Sequence, residues 1–205
     1  MGERQDAVRN RARLVAAAED VFREQGAAAA LEQVAARAGV GRATLYRHFP
    51  DRAALVAAVY THRVSALAAH VAALPAPTRL VHLVVEISEL QLDTPGLLTV
   101  LRTAPDGSAR LTEIGGRARA LLGSALTAAR AHGTIREDVT LEDVLLTFAM
   151  VEGVIALEPS TSAPTAVRRA VQLTLRGLLT EEAARAPLPR GVGTEHRHVV
   201  RSGHL

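Results

Sequence analysis

Tyr46, His48 and Phe49 fall within four residues of one another, beside Arg42 and Arg47, in a chain whose aromatic content is only 2%. Arginine carries a planar fork of donors that fits phosphate oxygens and the guanine edge. A tyrosine hydroxyl standing between two arginines can donate to a phosphate while the arginines reach base edges or the backbone. The chemistry on offer is recognition of a polyanion, DNA above all. The plainer alternative is a solvated helical hairpin, whose charges face water and whose aromatic residues pack inward.

The pattern around this cluster is helical. Leu14, Val15, Ala18, Val21 and Phe22 recur at helical spacing within residues 7–25, and Gly26 ends that helix. A short helix is expected over 31–38, with Leu31, Val34, Ala35 and Ala38 on one side and Gly39 as its stop. A third is expected over 42–48, after the turn AGVG. Leu45 and Phe49, four apart, then share the inward face, while Arg42, Ala43, Tyr46 and Arg47 point outward and Thr44 and His48 flank them. Pro50 disfavours continuation, and Asp51 is a good N-cap for a fourth helix carrying Leu55, Val56 and Val59. His48 and Arg52 lie where that helix begins, and its N-terminal amides and dipole favour phosphate. Two helices joined by a tight glycine-containing turn are the sequence form of a helix-turn-helix.

The fourth helix can continue to about residue 73, where LPAPT interrupts it. Further helices are expected near 79–92, 95–102, 109–131, 141–157 and 163–184, with turn and capping residues in HGTIREDVT between two of them. No strand-like alternation of useful length appears, and there is no internal repeat. The expected fold class is therefore all-α. Residues 1–50 are expected to hold three helices, residues 51–186 the further ones, and residues 187–205, mixing Pro, Gly and charge, a poorly ordered tail.

Composition narrows the function classes. The 205 residues include no cysteine, which removes disulfides, thiolate metal sites and a Cys nucleophile. All 24 basic residues are Arg, and the formal net charge is only +3, so the placement of charge matters more than its total. The N-terminus has no apolar run behind its charges, and no window reaches the length of a membrane span; a cytoplasmic protein with no membrane partner is expected. Eight histidines invite an enzymatic reading. There is no H-E-x-x-H pair, glycine-rich phosphate loop or G-x-S-x-G elbow, so no catalysis, metal or cofactor is expected. His196 and His198 could share a metal, with His204 as the only further nearby ligand.

VAARAGVGRATLYRHFPDRAALVAAV, residues 34–59, resembles the helix-turn-helix signature of the TetR/AcrR transcriptional regulators, I-A-x-x-A-G-V-S-x-x-T-L-Y-x-H-F-x-x-K-x-x-L. The resemblance implies that Thr44, Tyr46 and His48 contact the DNA backbone and that Arg42, Ala43 and Arg47 occupy the variable base-reading positions. It also implies that Arg52 replaces a phosphate-binding Lys, and it places Gln33 of the preceding helix toward DNA. Gly41 stands where a capping Ser is common, and GAAAALEQVA lacks the usual Thr or Ser before the second helix. The family joins this module to a helical domain that dimerises and often holds a small molecule.

Two stripes in that domain could serve dimerisation: Val144, Leu145, Phe148, Val151 and Ile155, and Val167, Val171, Leu175, Leu178 and Leu179. Paired across a two-fold axis they would build a four-helix interface, though packing within one subunit explains the same spacing. His82, Glu86, Glu89, Gln91 and Arg102 could face a ligand cavity, or could simply face solvent. With so few aromatics, a cavity lined by Leu, Val and Ala implies a small apolar effector. The resulting expectation is a ligand-responsive repressor that binds an inverted-repeat operator as a homodimer. The competing expectation is a helical interaction module whose Arg-rich hairpin binds an acidic protein.

Overall fold

The computed structural model describes residues 2–187 and Pro189; the expected tail, 187–205, lies almost wholly outside the described residues. Among the described residues, nine α-helices follow one another: α1 Gly2–Gln25, α2 Leu31–Ala38, α3 Arg42–His48, α4 Arg52–Ala72, α5 Arg79–Asp93, α6 Leu97–Thr103, α7 Gly107–Ala131, α8 Leu141–Leu157 and α9 Ala163–Leu178. Short 3-10 turns occupy Ala76–Thr78 and Ala183–Arg185. The all-α expectation holds, and α2 and α3 run over the residues that the pattern marks. No helix of the described residues is long and apolar enough to cross a membrane.

Two compact units emerge. The first comprises residues up to Ala66 together with Thr94–Arg117, and the second Leu67–Asp93 with the chain from Ala118 on. The first unit thus takes in more than residues 1–50. Leu55, Val56 and Val59 of α4 and Leu97 and Leu101 of α6 share one core with Leu14, Val21, Phe22, Val34, Leu45 and Phe49. Burying each such side chain stabilises the fold by roughly 1.5–3 kcal/mol, so a helix of eight or seven residues is held by its core contacts, not by its own propensity.

Two buried polar residues, Arg63 and Thr94, meet in this first unit. Arg63 on α4 is 7% exposed; its Nε donates to Glu19 Oε1 at 3.2 Å and its Nη1 to Thr94 Oγ1 at 2.9 Å. The guanidinium thereby ties α1 to the segment that leads into α6. At Gly107, where α7 starts, a Cβ would collide with the carbonyl oxygen of Leu101, so only glycine permits that approach.

The second unit packs α5, α8 and α9 against one another, with Leu80, Leu83, Val84, Leu122, Val144, Val151 and Leu175 in its core. Helix α8 opens with a capping box. Thr140 Oγ1 accepts from the Asp143 amide at 3.2 Å, and Asp143 Oδ2 accepts from the Thr140 amide at 2.7 Å. Helix α9 stops at Leu178, short of the expected residue 184. Leu179 turns extended and pairs with Ile135, the Arg136 amide donating to Leu178 O at 3.1 Å and the Thr180 amide to Thr134 O at 3.2 Å. A pairing that distant in sequence leaves no mark on helical periodicity.

The buried Arg63–Glu19 pair makes a stability prediction. Arg63→Ala strands Glu19 and lowers unfolding stability by about 3 kcal/mol, while the double change Arg63→Met with Glu19→Leu recovers most of the loss. Denaturant titration of the three proteins checks this; a single variant as stable as the parent would remove the pair from any structural role.

Candidate nucleic-acid interface

Helix α3 is presented by three local features. Gly39, at φ +63°, closes α2 in the left-handed conformation, its amide bonding to Ala36 O and that of Val40 to Ala35 O, both at 3.0 Å. Gly41 then enters α3 extended, without a side-chain cap. Beyond α3, Asp51 Oδ1 accepts from the Ala54 amide at 2.6 Å and caps α4, as its position suggests. Leu45 is 1% and Phe49 2% exposed, so both anchors are spent inward.

The opposite face is open. Arg42, Ala43, Tyr46 and Arg47 are exposed and Thr44 and His48 half-buried, as the helical wheel predicts. Arg42 lies over the Tyr46 ring at 5.5 Å and pairs with Glu32 of α2 at 3.1 Å. Both side chains of that pair are about half exposed or more, so separating them costs roughly 0–1 kcal/mol. Arg47 has no hydrogen bond or ion pair among the described residues. Gln33 is exposed on α2.

Arg52 is placed differently from a waiting phosphate ligand. Its Nη1 donates to the carbonyls of Ala27 and Ala29, each at 2.7 Å. These carbonyls belong to the loop before α2, where Ala30 supplies no side-chain cap. The clamp does the positioning that a Thr or Ser cap would otherwise do. Arg37 is also engaged, through a two-pronged pair with Glu24 at 2.6 and 2.7 Å.

His48 sits where α3 meets the core. Its ring is tilted against Phe49, centroids 6.4 Å apart, and Arg11 of α1 lies over the Phe49 ring at 5.2 Å. The Nε2 atom is enclosed and has no hydrogen-bond partner. Burial first, then the charges of Arg47 and Arg11, hold this imidazole below its ordinary pKa. In the free chain these effects favour the neutral ring.

In the second unit, His82 and Glu86 of α5 come together with His70 of α4, a residue that periodicity did not single out: Glu86 Oε1 is 3.3 Å from His70 Nε2 and 3.8 Å from His82 Nδ1. Burial raises the Glu86 carboxyl above the usual carboxylate range; burial and then His70 lower His82. Glu89 is half-buried one turn further along α5, and Gln91 Nε2 donates to Phe148 O at 3.1 Å. Arg102 is not part of this group. It is exposed on α6, in the first unit, with its Nη2 on Thr99 Oγ1 at 3.2 Å.

The apolar stripes are largely closed to a second copy. Val144, Val151, Val167, Val171, Leu175, Leu178 and Leu179 are at most 9% exposed inside the subunit's own core, and Leu145, Phe148 and Ile155 are half-buried against it. Packing within one subunit accounts for the spacing. What α8 and α9 turn outward instead is Leu146, Met150, Leu157 and Leu173, exposed by 43% to 87%.

The lowered His48 pKa fixes the sign of a pH effect. Because the unfolded imidazole titrates near 6.5, protonation favours the unfolded chain: full stability holds above about pH 6.5 and falls as the pH drops through that value toward the lower folded one. His48→Gln is expected to remove part of this loss, with His82 retaining the rest. Melting temperatures of both proteins between about pH 7.5 and 5.5 test it; identical pH slopes would exclude His48 as a source.

Comparison with known proteins agrees with this geometry. Residues 14–59 match the family described as bacterial regulatory proteins, tetR family, and residues 80–180 match the C-terminal domain of SbtR-like transcriptional regulators. No curated protein matches the chain by sequence. Among solved structures, the TetR transcriptional regulator SCO0520 from Streptomyces coelicolor is 30% identical, with 83% of this chain and 99% of that one covered and a TM-score of 0.64. A TetR regulatory protein from Mycobacterium vanbaalenii is also 30% identical, covering 86% and 99% at a TM-score of 0.62. SmeT, the repressor of the Stenotrophomonas maltophilia multidrug efflux pump SmeDEF, shares the fold at 23% identity, 89% and 96% coverage and a TM-score of 0.58. With its helix-turn-helix in front and its helical C-terminal domain behind, the chain belongs to the TetR family of DNA-binding transcriptional regulators.

Proposed function

We propose that the protein is a ligand-responsive repressor of the bacterial cytoplasm, acting without catalysis, that binds an inverted-repeat operator as a homodimer. The observation that supports DNA reading best is the sorting of α3: two anchors are fully buried and Arg42, Ala43, Tyr46 and Arg47 face outward. In this reading Arg47 and Arg42 address base edges, Ala43 leaves room for the groove, and Thr44, Tyr46 and His48 donate to phosphates. Gln33 lies on the helix that crosses the backbone. Arg52 contributes mainly by fixing the loop before α2, with the rest of its guanidinium left to a phosphate.

One short recognition helix offers few base contacts, whereas two about 34 Å apart read successive major grooves. We place the dimer contact on the outward face of α8 and α9, through Leu146, Met150, Leu157 and Leu173, not through the stripe that builds the core. Four large apolar side chains in water are costly to leave uncovered and are ordinary in an isologous interface. Within residues 51–186, the second unit then serves dimerisation and effector binding, and its Leu- and Val-rich core favours a small apolar effector. An effector relieves repression if it binds more tightly to a dimer whose reading heads are wrongly spaced.

Selection from a random duplex library at near-physiological salt is expected to enrich an inverted repeat. Arg47→Ala should then relax sequence preference, at a cost of about 1–3 kcal/mol on the preferred site, while Tyr46→Phe weakens all sites alike. Salt-sensitive retention with no enriched sequence would favour the competing reading, in which the Arg-rich hairpin binds an acidic protein. The interface is tested separately: Leu146→Arg with Leu173→Arg should yield a folded monomer by analytical ultracentrifugation, and a dimer that survives both changes would move the contact elsewhere.

A further inference from the structure

We propose that His70, His82 and Glu86 form a binding site for one divalent transition-metal ion of the Zn2+ type. The three side chains come from two helices, α4 and α5, and each offers one ligand atom within 4.8 Å of the others. His82 and Glu86, four apart on α5, project from the same side of that helix, and His70 closes the group from the last turn of α4.

The carboxylate-to-imidazole spacings approach those of ligands around a shared ion, and the two imidazoles lie within 4.8 Å of each other. Glu86 Oε1 stands 3.3 Å from one imidazole nitrogen and 3.8 Å from the other. Charge-assisted hydrogen bonds run about 2.7–2.9 Å, so neither pair is a good direct bond. Ligand atoms bound at about 2.0–2.1 Å around a tetrahedral Zn2+ lie about 3.3 Å apart along each edge. Small side-chain rotations bring the wider pair to that distance. The carboxylate is the inner member, its side chain 11% exposed, with His82 at 25% and His70 at 42%, so the ligand set runs from core to surface and leaves an entry path on the His70 side.

Ligand chemistry selects the ion. Two imidazoles and one carboxylate suit Zn2+ and its first-row neighbours, whereas Mg2+ and Ca2+ prefer sites made wholly of oxygen. Three protein ligands leave a fourth position for water or a coordinating group of an effector. The ion would join the end of α4 to α5 across the ALPAPT connection, adding a polar cross-link to the apolar contacts that Leu67 and Val71 already make in the same core as Leu80 and Leu83. The site stands independently of the DNA reading.

The test uses the untagged full-length chain stripped of metal by a chelator. Zn2+ alone is titrated in competition with a chromophoric chelator, and Co2+ alone is followed by visible ligand-field absorption. We expect one ion per chain and a rise in melting temperature on Zn2+ addition, because a ligand of the folded state stabilises it. His70→Ala, on an exposed side chain that leaves the fold intact, and Glu86→Gln should each weaken binding by at least about tenfold, since even an outer-shell partner commonly contributes that much. The double change His196→Ala with His198→Ala should leave affinity and melting shift unchanged. Absence of binding by the parent chain, unaltered affinity in both site variants, or loss confined to the His196/His198 variant would each overturn the proposal.

Discussion

The seating of Leu45 and Phe49 in the first core is the constraint on which the reading surface depends. A helix as short as α3 does not persist alone in water, because nucleation costs more than a few internal hydrogen bonds return. Its geometry is borrowed from α1, α2 and α4. Once the two anchors are fixed four residues apart, the rotation of the helix about its own axis is fixed too, and with it the direction of Arg42, Tyr46 and Arg47. The turn glycine, the Asp51 cap and the Arg52 clamp then set where that rigid piece begins and ends.

Arginine serves several unrelated purposes within this unit, and the fork geometry of its side chain makes each possible. Arg52 spans two loop carbonyls, Arg37 grips both oxygens of Glu24, and Arg63 satisfies a carboxylate and a hydroxyl in a nearly dry setting. A chain without lysine therefore does not present a uniformly basic surface. Much of its positive charge is committed to holding helices in register, and the residues turned outward on α3 form a small, defined set.

Local punctuation explains which parts of the fold are legible in the sequence. Gly26, Gly39, Pro50 and Asp51 bound the first helices because each acts on its own backbone or on the next turn, and the helical wheel of α3 follows from the spacing of two apolar residues. The end of α9 is not legible, since it depends on Leu179 meeting Ile135 across the chain. Arg63 and His70 escape notice for the same reason: what distinguishes them is a partner on another element. Periodicity identifies the stripes of α8 and α9 as buried, yet burial against the subunit's own helices and burial against a second copy produce the same pattern. The exposed Leu146 and Leu173 have to be located in three dimensions before the two can be separated. The carbonyls that Arg52 holds lie in a loop with no polar side chain to announce them, so the clamp leaves no mark in the sequence.

The pairing of Arg42 with Glu32 alters how the ionic atmosphere registers an encounter with DNA. An arginine that arrives already half-neutralised exchanges one anionic partner for another, and it displaces fewer condensed cations than a bare guanidinium does. In such an encounter Glu32 would be released with its charge uncompensated. If Arg42 and Arg47 meet DNA as proposed, the steepness with which affinity falls as salt is added would count fewer charges than the arginines on α3 indicate, and discrimination between sequences would persist further into high salt than the overall basicity of the helix implies.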